Sequence, residues 1–508
     1  MKKTLSMGIL LLFQAMVYSN NLRITNISAP SATSIQFDVA WDNSWYAAAP
    51  SNNWDAVWIF VKTQVCATGS SNWTHANLSA VSGNHSVTGG VLQVDAVTDG
   101  KGVFLRRSAM GGGNIATATV TLTLAAAYVV ASTNYEVLGI EMVYVPQGSF
   151  MVGDYSINNT THSINSWGSF ASTNPTTIAS EAALAGDALR NNNTSVAPIS
   201  SFHNGIALAF PKGFAAFYCM KYEITQQQYA AFLNLLTFEQ QSYRTAVSPA
   251  SALGTAALAP SPGENRNSIE IQTPGVAFST PAVYGNDLNA NNVYDEADDG
   301  GNVACNFLNW NDLKAYLDWS ALRPMTELEF EKACRGTNTS ILTEYPWSTT
   351  TITAAVSSAL TNGGQAAEVP SVTGDGLCAH NGGASTTLGP LRAGFAATGA
   401  TVRTGAGASF YGIMDLGGNV WEQLIHAGYR NGATNATVIY TGVLGDGTID
   451  ALGDANAANW GILVNQSVVR GGNWQYSAQR CRISDRFYIG TTTENDTRVS
   501  RTGGRGVR

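Results

Sequence analysis

Tyr411-Gly-Ile-Met-Asp-Leu-Gly-Gly-Asn-Val-Trp-Glu422 decides how this chain is read. Two further glycine- and arginine-bearing stretches follow it, Val469-Arg-Gly-Gly-Asn-Trp474 and Cys481-Arg-Ile-Ser-Asp-Arg486. Upstream lie three segments with helix signals. Thr225-Gln-Gln-Gln-Tyr-Ala-Ala-Phe-Leu-Asn234 opens on a threonine N-cap and sets Tyr229, Phe232 and Leu233 on one face. Asn311-Asp-Leu-Lys-Ala-Tyr-Leu-Asp-Trp-Ser320 repeats the pattern with Leu313, Tyr316 and Leu317. In Arg323-Pro-Met-Thr-Glu-Leu-Glu-Phe-Glu-Lys-Ala-Cys-Arg-Gly336, Thr326 and Glu329 have capping-box spacing before a third helix.

Taken in this order, the segments resemble the formylglycine-generating enzyme (sulfatase-modifying factor) family. The resemblance runs from the opening strand Met142-Val-Tyr-Val-Pro-Gln-Gly-Ser-Phe-Met-Val-Gly153 to Arg508. It implies an α+β domain over 138–508, with an elaborated C-type-lectin-like core and little regular secondary structure. It also implies a calcium site at Asn419, Val420 and Glu422, where the Asn419 amide, the backbone carbonyl of Val420 or of Gly418, and the Glu422 carboxylate offer the hard oxygens that Ca²⁺ prefers. A disulfide between Cys334 and Cys481 is implied in the same way.

The family's copper enzyme needs two soft thiolates after its Gly-Gly motif. Here Gly471-Gly-Asn-Trp474 is followed, without a gap, by Tyr476 at the first thiolate position and Cys481 at the second. With a short deletion, Cys481 falls instead on the family's structural cysteine. Either register leaves at most one thiol in that stretch, so no copper is expected. The family's iron branch uses three histidines of a helical domain; His75, His85, His162, His203, His380 and His426 form no such array, so no iron is expected.

Working outward, residues 20–137 read as all-β. Ser34–Trp41 alternates apolar and polar positions, Ala56–Lys62 is a buried-type strand, and Gly102–Arg106 and Ala116–Leu124 are further strands between turn-rich stretches. This spacing predicts an immunoglobulin-like β-sandwich, with the tryptophans at 41, 45, 54, 58 and 73 as packing residues or a sugar-stacking face. Residues 155–205 and 240–280 read as long surface loops. Met1–Ser19 has the charged start and short apolar run of a secretory signal, which predicts an exported, extracellular or cell-surface protein. Six cysteines in such a protein permit up to three disulfides, and the pairing of Cys66, Cys219, Cys305 and Cys378 stays open.

Only 12% of the 508 residues are charged, with a net charge of −8 and no basic run, which argues against a nucleic-acid partner. No later apolar run is long enough to span a bilayer. Independently of the family, Asp287, Asn289, Asn291, Val293, Asp295 and Asp298 stand at positions 1, 3, 5, 7, 9 and 12 of an EF-hand-like loop, a second candidate for calcium. Trp421, Trp460, Trp474 and Tyr476 are candidates for a ligand surface. The expected function is non-catalytic: binding of a glycan or cell-envelope component, or self-assembly into an extracellular filament or matrix. The alternative is a formylglycine-generating-type oxidase or a related metal-dependent enzyme.

Overall fold

The structure is a computed structural model and describes residues 21–66, 72–154, 167–168, 175–184, 190–191, 205–398, 401–427, 440–460, 467–490 and 497–508. The stretch Met1–Ser19, expected to be a secretory signal, and most of 155–205 lie outside the described residues. Of the described residues, 32% are strand and 12% helix, a β-rich architecture with few helices. No helix among the described residues is long and apolar enough to cross a membrane.

The N-terminal strands form two sheets. In the first, β2 (Ser34–Tyr46) lies between β1 (Arg23–Ser31) and β8 (Gly111–Thr123), and β8 also pairs with β5 (Ser86–Val87). In the second, β3 (Asp55–Val65) pairs with the short β4 (Thr74–Ala76), with β7 (Val103–Arg107), which carries β6 (Leu92–Ala96) at its outer edge, and with β9 (Thr133–Val145). Alternation along β2 points Ile35, Phe37, Val39 and Trp41 into one apolar cluster with Val57, Ile59 and Val61 of β3.

β3 is buried on both faces, and this sets the architecture. Its odd residues face the first sheet, while Ala56, Trp58 and Phe60 enter the main C-terminal core beside Phe232, Tyr316 and Trp319. Polar contacts follow the same path. The Trp58 indole donates to Ser320 O at 2.9 Å, and the buried Lys62 ammonium donates to Trp319 O and Gly447 O, each at 2.7 Å. β9 pairs with β3 from Thr133 to Val143 and with strand Phe217–Met220 from Met142 to Val145. The sheet then continues through Gly506–Val507 to Arg323–Pro324. The boundary expected between residues 137 and 138 therefore falls inside one strand of a continuous sheet.

Four helices carry the sequence's capping signals. α1 (Gln226–Asn234) and α4 (Glu327–Arg335) start at the capping boxes Thr225/Gln228 and Thr326/Glu329. α3 (Trp310–Trp319) is capped by Asn309 with Asp312, just ahead of the expected start, because Asn309 offers the acceptor in extended geometry. α2 (Phe238–Arg244), capped by Thr237 with Gln240, runs into the segment expected to be a surface loop. That loop expectation is corrected. Ala256–Ala259, Ile269 and Ile271 are core residues, and Ile269–Thr273 pairs with Val283–Asn286. Ser, Pro and Ala composition looks like loop, but the small side chains here let backbone pack closely on α1 and α2.

Candidate functional site

The motif around Gly418 is built into the floor of the C-terminal module. Trp421–Ile425 lies between Ser467–Arg470, with Glu422 opposite Arg470, and Thr502–Gly503. Gly418 has φ +83°, and a β-carbon there would collide with the Ala379 carbonyl and the Cys378 sulfur, so only glycine allows the approach. Asn419 follows in left-handed geometry at φ 64°. Its amide oxygen accepts from Leu391 N at 2.8 Å, and its amide nitrogen donates to Glu223 Oε2 at 2.6 Å. Val420 N donates to the other Glu223 oxygen at 3.0 Å. Glu422 accepts from Arg505 Nε at 2.5 Å.

These contacts involve two side chains of the expected calcium set of Asn419, Val420 and Glu422. The Asn419 oxygen accepts from one backbone N–H, and Arg505 pairs with Glu422 Oε1, while Glu422 Oε2 is buried without a hydrogen-bond partner. Glu223, which sequence reasoning missed, organises the motif. Burial pushes its carboxyl well above the ordinary carboxylate range, the charges of Asp415 and Glu422 add to this, and Arg505 opposes it. A pair separated by nearly two hundred residues left no local signal.

A second buried network centres on Glu327 at the start of α4. Arg486 donates from Nε and Nη2 to its two oxygens, each at 2.9 Å, and Arg470 Nη1 donates to Oε1 at 2.7 Å. Ala427 N donates to Oε2 at 3.0 Å. Burial works against the charge, but the guanidinium of Arg486, then that of Arg470, holds the Glu327 carboxyl well below its usual range. Arg470 also reaches Glu331 at 2.8 Å, and Arg335 bridges Glu331 and Glu344. Arg470 and Arg486 of the last two motifs are thus ties to α4.

The expected Cys334–Cys481 disulfide is not formed. Cys334 packs in the cluster of Phe330, Ile413 and Ile483, while Cys481 sits with Tyr345, Trp347 and Cys378. The partner thiol is Cys378, which shares a hydrogen bond with Cys481 and also donates to Gly417 O at 3.0 Å. A second sulfur therefore does stand beside Cys481, supplied by a distant segment rather than by the stretch after Gly472. Both thiols are buried under the stacked Tyr345 and Trp347 rings, and burial, before any other influence, pushes the Cys378 thiol far above its ordinary value. Protein isolated under oxidising conditions is expected to yield a Cys378–Cys481 cross-linked peptide in a non-reducing mass map. A Cys334–Cys481 peptide in its place would show this packing to be wrong.

The expected ligand surface is also corrected. Trp421, Trp460 and Trp474 are 1%, 3% and 3% exposed. The indoles of Trp460 and Trp474 donate to Val443 O at 2.7 Å and Ser500 O at 2.9 Å, as core tryptophans do. Tyr476 alone reaches the surface, half-buried. It stacks on Tyr488 with centroids 5.3 Å apart and planes 4° apart, and Trp421 lies edge-on beneath both. The Arg501 guanidinium lies 5.4 Å from the Tyr476 ring, and Arg480 covers Phe487 at 3.6 Å.

The EF-hand-like spacing does not converge as expected. Asp287 accepts from Asn291 N and Asn292 N, and Asp295 accepts from Asn286 N. The oxygens of Asn289 and Asn291 accept from Asn291 N and Val293 N. Short side chains beside free N–H groups turn inward on the loop itself. Only Asp298 joins a converging group, and its companions are Glu296 and Asp299. Burial pushes the Asp299 carboxyl up to about 6, and pushes nearby Glu270 up to about 7 with help from Asp287 and Asp299.

No curated protein matches the chain. Among solved structures, Treponema denticola variable protein 1 is similar at 14% identity and a TM-score of 0.30, over 75% of this chain and 97% of that one. The family model described as "Sulfatase-modifying factor enzyme 1-like domain" matches residues 130–508, which take in the Gly418 motif, the Glu327 network and the last strands of the shared sheet. The chain belongs to the sulfatase-modifying factor enzyme 1-like domain family.

Proposed function

We propose that this chain is an exported, non-catalytic binding protein that holds a glycan or another cell-envelope component against the Tyr476–Tyr488 face. The observation that carries the reading is where the polar motif residues point. Asn419, Glu422, Arg470 and Arg486 are all spent on buried internal partners, whereas Tyr476 and Tyr488 offer stacked rings at the surface. Stacked aromatic rings with a guanidinium alongside suit the C–H face of a sugar, and can do so without a reacting group. The N-terminal sheets, read as an immunoglobulin-like sandwich, act as a rigid base for this face.

A Tyr476→Ala/Tyr488→Ala double variant is expected to lose about tenfold or more of its retention on a polysaccharide or envelope fraction, a loss of about 1.4 kcal/mol. Its melting curve should stay near that of the wild type, because both rings are only half-buried. Undiminished retention in the double variant would refute the proposed face. The Cys378–Cys481 couple is the observation that favours the rival oxidase reading. Stoichiometric copper in purified protein, together with turnover that Cys378→Ser abolishes, would favour that reading over a binding role.

A further inference from the structure

We propose that Glu296, Asp298 and Asp299 bind one divalent cation of the calcium type, in a turn between strand Val283–Asn286 and α3. One oxygen from each carboxylate lies within 4.8 Å of the others. Calcium holds its oxygens at about 2.3–2.6 Å, so oxygens on opposite sides of one ion stand about 5 Å apart. The observed spread fits a Ca²⁺-sized ion.

An acidic turn alone would not make a site, since exposed carboxylates are common. Here the decisive group is buried. Asp299 is 1% exposed; one of its oxygens accepts from Glu296 N at 2.7 Å, and Oδ1 is buried with no hydrogen-bond partner. Close by, Glu270 is 3% exposed and its Oε1 is also buried without a partner. Buried acceptors without donors are costly, and buried carboxylates more so. No lysine or arginine occurs between Arg266 and Lys314, so the turn brings no cation of its own. A bound metal ion would satisfy this oxygen surplus.

The surrounding amides are already placed to orient such ligands. Asn289 Nδ2 donates to Asp298 Oδ1 at 3.2 Å, and Asn291 Nδ2 donates to Glu296 Oε2 at 2.6 Å. Each carboxylate keeps its other oxygen for an ion, as outer partners of metal ligands generally arrange. Two residues of the EF-hand spacing thus act as supports rather than ligands. An all-oxygen set favours calcium over softer metals.

The test uses the full chain, stripped with EDTA and titrated with calcium chloride in a calorimeter, alongside Glu296→Gln, Asp298→Asn and the double variant. Wild type is expected to bind one ion per chain below about 1 mM and to melt at a higher temperature with calcium than with EDTA. Each single variant should lose about tenfold or more in calcium affinity, and the double variant should show no calcium-dependent melting shift. Glu296 is exposed, so its variant keeps the fold and isolates the ligand role. Wild type with neither binding heat nor melting shift at that concentration would overturn the proposal. So would undiminished affinity in the double variant.

Discussion

Replacing Glu327 by alanine is expected to destabilise the protein by about 3–5 kcal/mol, the cost of taking one partner from a buried ion pair. Arg470 and Arg486 are both fully buried, and Glu327 is the carboxylate that faces both. Its removal also takes the acceptor from Ala427 N. Apolar packing lost with a single glutamate stem is smaller than this, so the electrostatic loss dominates. In a cooperative unit of this size the drop in melting temperature is on the order of 5 °C. The effect has a pH signature. The folded-state carboxyl lies below its unfolded value, so its contribution is full above about pH 4.3 and is lost as pH falls toward the folded value. The gap between wild type and variant should therefore narrow in acid. A variant that melts with the wild type at neutral pH would show that the Glu327 network carries no stability.

The second large effect concerns the two halves of the chain. A fragment of residues 138–508 is expected not to fold, and the longer chain to unfold in one transition over both halves. Trp58 and Phe60 of β3 lie within the C-terminal core. Together such rings remove roughly 300–500 Å² from water, worth on the order of 10 kcal/mol. That matches the whole net stability of a typical domain, about 5–15 kcal/mol. The fragment would also lose β3 as the partner of β9 and leave a long sheet edge open. Calorimetry showing two separate transitions, or a soluble 138–508 fragment with native-like circular dichroism, would contradict the shared core.

Signals within a few residues were legible before the fold was known. Thr225 with Gln228 and Thr326 with Glu329 lie three apart, so their capping boxes are local hydrogen bonds that any fold must include. The alternation of Ile35, Phe37, Val39 and Trp41 is equally local and marks the inner face of β2. Motif order was enough to identify the family. Exposure was not legible. Trp421 and Trp474 read as a surface because composition cannot tell a core tryptophan from a stacking one.

Local spacing and motif order together determined the helix starts, the strand faces and the membership of the C-terminal module. Tertiary structure alone decided the partners. Glu223 meets Asn419 across 196 positions, and Lys62 meets Gly447 across 385. Cys481 faces Cys378 rather than Cys334. A buried charge or thiol takes whichever group the packed chain brings beside it, and that encounter depends on the path of the backbone between them. The same reason moved the acidic site from the EF-hand spacing to Glu296, Asp298 and Asp299. Spacing shows which oxygens are near in sequence, but only the folded turn decides which ones point at each other.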